Sequence, residues 1–144
     1  MTTRAGLSIR REAAISFGIN ALLSLAFFLA LFGLTSRPLH WGAPGGLALD
    51  FIPQSLAVCL MSALVPCLIA RGRLAAPPSV RTVLLRALAF AMGGGALGAL
   101  LAGVATMAAP PPIGWTPALL LKLFYGGALG ASVATLALRR MILR

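Results

Sequence analysis

The sequence predicts an all-α, polytopic membrane protein with four transmembrane helices. Three observations carry this reading. Four apolar runs, each of about 20 residues or more, are separated by short stretches rich in Pro, Gly and Arg. Hydrophobic residues make up 60% of the 144 positions and charged ones only 10%, where a soluble domain carries about 25% charged residues. A soluble fold of this size could not hide so much apolar surface. The formal charge of +10 is also gathered at the ends of the apolar runs rather than spread along the chain.

The first run extends from about Ala13 to Leu34, after Arg4, Arg10 and Arg11. It is too long for the apolar region of a signal peptide, and Gly33-Leu34-Thr35-Ser36-Arg37 is a poor cleavage site, so a retained span is expected. The second runs from Phe51 to Ala70. Asp50 is its expected N-cap, Pro53 falls in the first turn, where a missing N–H is harmless, and Gly72 suits the helix end. Pro66 lies inside this run, and is expected to free the Ser62 carbonyl and kink the helix. The third covers about Ala87 to Ala109, with Ser79 as a cap for a helix that starts in the headgroup layer. The fourth covers Ala118 to Leu138, behind a Thr116-Pro117 start. Trp41 and Trp115 fall in the two loops opposite the basic clusters, at the depth of an interfacial aromatic belt.

Ten of the twelve basic residues lie before the first run, between the second and third, or after the fourth. Only Arg37 and Lys122 belong to the other side. The positive-inside rule then predicts that both termini are cytoplasmic. A preference for Arg over Lys, with abundant Ala, Leu, Gly and Pro, suggests a GC-rich bacterial genome and hence a bacterial inner membrane. The expected surroundings are the lipid bilayer, with anionic headgroups at the cytoplasmic Arg clusters. A nucleic-acid partner is not expected, because no basic stripe with interleaved aromatics accompanies the high pI.

The two halves resemble each other. Pro38-Leu39-His40-Trp41-Gly42-Ala43-Pro44 aligns with Pro112-Ile113-Gly114-Trp115-Thr116-Pro117 with one residue deleted. Each copy sits between two apolar runs, and each is followed by a charge and a phenylalanine. The reading is a single domain over 1–144, built from a duplicated two-helix hairpin (13–71 and 80–139). Two spans per copy give a parallel repeat about an axis along the membrane normal.

Several side chains are candidates for a site. Gly94 and Gly98 form a GxxxG pattern in the third run, and Gly126 and Gly130 another in the fourth. Small residues four apart let two backbones approach closely. The expectation is that the third and fourth helices pack on each other through them, with a homodimer seam as the alternative. Ser16, Asn20 and Ser24 form a polar stripe in the first run, for helix–helix hydrogen bonds or an internal cavity. Gln54, Ser55 and Tyr125 are the other polar candidates. Asp50 and Lys122 are the most suggestive pair, since charges inside spans are functional candidates by default. Each also has a plain role, Asp50 as a cap and Lys122 as a lysine that snorkels to the nearby surface. Their meeting across the outer ends of the second and fourth spans is the sharper expectation, against which stands the distance between diagonal helices.

Cys59 and Cys67 are eight residues apart, about 12 Å along a helix, too far to pair with each other. Both read as packing residues. With one His, two acids and no metal-ligand spacing, the sequence points away from catalysis and from a cofactor. A structural, assembly or regulatory membrane subunit is the expected class, alone, as a homo-oligomer or with a membrane partner. An oligomeric small-solute transporter or channel is the alternative.

Overall fold

The computed structural model describes residues 8–43 and 46–142. Arg4 and Arg144 of the basic clusters and Pro44 of the loop motif lie outside them. Among the described residues there are four helices: α1 (Ile9–Phe32), α2 (Phe51–Arg71), α3 (Val80–Ala108) and α4 (Trp115–Ile142). All four are long and apolar enough to cross a bilayer. The fold is therefore all-helical with four membrane-spanning helices, as the apolar runs predict.

Three helices outrun their apolar cores, and local chemistry explains two of these extensions. Ser8 accepts a bond from the Arg11 amide at 3.4 Å, so α1 starts in the polar Arg10-Arg11-Glu12 segment. Ser79 accepts from the Thr82 amide at 3.1 Å and starts α3 well before its apolar stretch. α4 begins at Trp115, with Thr116 and Pro117 in its first turn. Asp50 departs from its expected role. It precedes α2 with helical angles (φ −65°, ψ −18°) and its side chain makes no capping bond, because the carboxylate is engaged elsewhere. α2 continues through Pro66 as one helix.

The helices pack in the spatial order α1, α4, α2, α3. α2 and α4 form the central pair and run parallel, both starting at the Trp-bearing end. α1 covers α4, and α3 covers α2. Helices adjacent in each predicted hairpin, α1 with α2 and α3 with α4, only graze each other. The expectation that α3 and α4 pack through their glycines is thus overturned. A Cβ on Gly94 would collide with the Cys59 side chain and come within 2.7 Å of the Ser55 carbonyl oxygen. On Gly98 it would strike the Phe51 carbonyl and stand 2.8 Å from the Ile52 Cα. Both glycines therefore serve α2–α3. Gly126 and Gly130 instead face Ser24 and Asn20 of α1. The reason is geometric: small residues set how close a neighbour can come, but they do not specify which neighbour it is.

At the Trp-bearing end the two similar loops join each other. Leu39 and Ile113, equivalent positions of the two motifs, exchange backbone bonds of 2.8 and 3.0 Å. Trp41 Nε1 donates to the Pro111 carbonyl at 3.2 Å, and Trp115 Nε1 to the Gly33 carbonyl at 3.0 Å. Both indoles are thus half-buried and bonded to protein, Trp41 in the α1–α2 loop and Trp115 at the first position of α4. Beneath them Phe28, Leu39, Leu47 and Ala118 form one apolar cluster. A second cluster fills the opposite end, among α2, α3 and α4, and contains Cys59 and Cys67 as free thiols.

The radial distribution of polarity is inverted relative to a soluble protein. Ser16, Asn20, Ser24, Gln54, Ser55, Ser62 and Lys122 are buried, while Leu22, Met92, Leu100 and Phe124 are each more than 60% exposed. Apolar side chains facing outward and polar ones facing inward suit a hydrocarbon solvent.

Candidate functional site

The polar interior is built on two tiers, both along α1. The outer tier centres on Lys122. Because α4 starts at Trp115, Lys122 lies seven residues in, about 10 Å from the helix end. Its side chain does not snorkel: it is fully buried and turns toward α2. Lys122 Nζ stands 2.8 Å from Asp50 Oδ2 and donates to Gln54 Oε1 at 3.0 Å. It also lies 3.6 Å from the centroid of the Phe51 ring. One turn of α2 supplies all three partners, since Asp50 and Gln54 are four apart and share a face. The expected diagonal separation does not arise, because α2 and α4 are the central contacting pair.

An ammonium in a dry interior is tolerated only when paired and hydrogen-bonded. Here a carboxylate, an amide oxygen and an aromatic face divide that task. The carboxylate is helped in turn by its place at the N-terminal, positive end of α2. A cation over a desolvated ring is itself favourable by about 2 kcal/mol. Gln54 then ties the pair to α1. Its Nε2 donates to Ser24 Oγ at 2.8 Å and to the Lys122 carbonyl at 3.1 Å. Beside it, the Ser55 and Tyr125 hydroxyls bond at 2.6 Å, and the Tyr125 ring stacks edge-on against Phe51 at 4.9 Å.

The inner tier lies near the midpoint of α1. Asn20 Nδ2 donates to Ser62 Oγ of α2 at 2.8 Å and to the Ser16 carbonyl at 2.7 Å. Ser16 Oγ donates to the Gly130 carbonyl of α4 at 3.1 Å. Gly130 is needed for this: a Cβ there would collide with the Asn20 side chain. The stripe Ser16, Asn20, Ser24 therefore bridges to both central helices. Two buried oxygens of the column, Asn20 Oδ1 and Asp50 Oδ1, have no hydrogen-bond partner among the described residues.

The structure thus brings together every polar residue singled out in the sequence. It adds Phe51 and the Ser62 hydroxyl, neither of which was expected to take part. Phe51 carries a faint signal, as the aromatic beside Asp50 in the loop repeat. Ser62 sits eight residues after Gln54 on the same α2 face, a spacing visible only once Gln54 is known to point inward.

A second feature is a lateral groove. Because α3 and α4 only graze each other, a groove of about 580 Å³ opens between them, with buried residues of α2 at its floor. Cys59, Ala63 and Cys67 form the floor. Gly93 and Leu97 line one wall, Leu129 and Val133 the other, and Arg86 and Arg140 stand at the basic end.

Comparison with protein-family models, curated proteins and solved structures finds no match. The geometry of these two features therefore carries the functional reading alone.

Proposed function

We propose that this protein is a non-catalytic structural, assembly or regulatory subunit of a bacterial inner membrane, acting through its lateral surface rather than through its interior. The observation that supports this most directly is the closure of the polar core upon itself. Lys122, the one basic residue deep in a span, spends its ammonium on Asp50, Gln54 and Phe51 of the same chain. A group so engaged locks α2 to α4 and is not free for a substrate. The opening that remains, between α3 and α4, faces lipid or a membrane partner.

The ten-to-two distribution of basic residues supports cytoplasmic termini. Reporters fused after Arg73 and after Arg144 should read cytoplasmic, and one near Gly45 external. An external reading at Arg144 would overturn this orientation.

The duplicated hairpin is part of the same proposal. A two-fold axis between α2 and α4 exchanges α1 with α3 and maps the α1–α4 interface onto α3–α2, which matches the packing order. The offset in residue number that aligns Trp41 with Trp115 also aligns Asn20 with Gly94, Ser24 with Gly98 and Phe28 with Ala102. All six of these helix positions are buried.

Native mass measurement after mild-detergent purification tests the subunit reading, which expects a defined homo-oligomer or a co-purifying membrane protein. The alternative, an oligomeric transporter or channel for a small solute, draws on the two partnerless oxygens in the polar column. Solute flux in liposomes carrying the purified protein would establish that alternative and refute the subunit reading.

A further inference from the structure

We propose that the groove between α3 and α4 is a binding site for one anionic glycerophospholipid of the leaflet at the basic helix ends, with Arg86 and Arg140 holding its phosphate. This deepens the lateral-surface reading above and rests on it. The site is assembled from both walls: Arg86 projects from α3 and Arg140 from α4. The guanidinium of Arg140 lies over the Phe90 ring of the opposite wall, 5.6 Å from its centroid, so it reaches across the mouth. Neither arginine forms an ion pair or a side-chain hydrogen bond among the described residues. Of the two acids in the sequence, Asp50 is committed to Lys122 at the other end, and Glu12, in the first turn of α1, makes no ion pair with either arginine among the described residues.

The shape of the groove fits the same ligand. From Val83 to Leu97 its α3 wall rises about 21 Å, against about 15 Å for half of a bilayer's hydrocarbon core. It therefore begins in the headgroup layer and ends near the midplane, the extent of one leaflet. Charge stands only at the headgroup end, and everything deeper is apolar. Basic pockets between spanning helices on the cytoplasmic side are suited to anionic headgroups in this way. The floor is made of small residues, Cys59, Ala63 and Cys67, and Gly93 leaves space in the α3 wall. Gly93 is decisive, because a Cβ there would meet nothing within 4 Å. Its missing side chain is not required by helix packing, unlike that of Gly94 beside it, and the space it leaves belongs to the groove.

Delipidated full-length protein titrated with phosphatidylglycerol, or with phosphatidylcholine of the same acyl chains, tests this by native mass spectrometry. Wild type should hold one phosphatidylglycerol with about tenfold or greater preference, as two arginines near a headgroup would give. Arg86→Gln with Arg140→Gln should abolish the preference, and the paired lysine variants should keep most of it. Gly93→Leu should weaken both lipids, since its side chain occupies the space that Gly93 leaves open. Equal affinity for the two lipids in wild type, or a preference that survives loss of both arginines, would overturn the proposal. A lipid-free dimer that Gly93→Leu dissociates would overturn it as well, assigning the groove to a second copy. That last result leaves the subunit reading standing, whereas solute flux refutes that reading without altering lipid selectivity.

Discussion

The α2–α3 and α1–α4 interfaces use the same device against different partners. Each carries two glycines four residues apart. In α2–α3 they lie on α3, and the surface they receive is largely backbone: the Ser55 and Phe51 carbonyls and the Ile52 Cα. In α1–α4 they lie on α4 and receive polar side chains, Ser24 and Asn20, which continue into hydrogen bonds with α2. The first interface is held by close dispersion contact. The second uses the space made by glycine to bury an amide and two hydroxyls, and so connects three helices instead of two. Small-residue spacing in a span thus marks close approach, while the nature of the contact is decided by what the neighbour presents.

That comparison can be broken by substitution, and the largest effect is expected at Gly98. Gly98→Leu sets a large side chain against α2 backbone, which has no rotamer with which to yield, and should destabilise by about 3 kcal/mol or more. Thermal unfolding in detergent reads it. Gly130→Leu should cost less, because Asn20 and Ser16 can rotate away, but it should also release their bonds to Ser62 and the Gly130 carbonyl. Equal losses at the two sites would remove the distinction between backbone and side-chain partners. Asn20→Ala should cost still less, about 0.6–1.7 kcal/mol for an interhelical hydrogen bond in a membrane protein. A loss above that range would show that the inner tier acts as a cooperative unit. The smallest effect is expected for Gly93→Ala, where the new Cβ meets nothing within 4 Å. A clear loss there would mean that α3 has a neighbour besides α2.

Much of this was legible in the sequence, for identifiable reasons. Hydrophobic length and the placement of arginine specify four spans, and Ser79 and Gly72 mark two of their ends. The polar stripe of α1 is visible because its four-residue spacing needs no knowledge of the other helices. Partner choice was not legible. The pattern in Gly94–Gly98 and Gly126–Gly130 suits contact between α3 and α4 equally well, and only the packing order sends each pair elsewhere. The pairing of Asp50 with Lys122 was legible as one of two expectations, and the choice between them was not. Local rules read Asp50 as a cap and Lys122 as an anchor, each near a helix end. The contact of α2 with α4 replaces both roles with one ion pair, because the mutual attraction of two charges away from water outweighs a capping bond.

The central claim is that this buried pair closes α2 on α4. A double-mutant cycle with Asp50→Asn and Lys122→Gln, followed by unfolding titration in mixed micelles, tests it most directly. Each single variant should lose about 3–5 kcal/mol, because it leaves the other charge buried without its partner. The double variant should lose clearly less than the two combined, with a coupling of about 1–3 kcal/mol. Strictly additive losses would contradict the account, leaving Asp50 and Lys122 as neighbours that act independently.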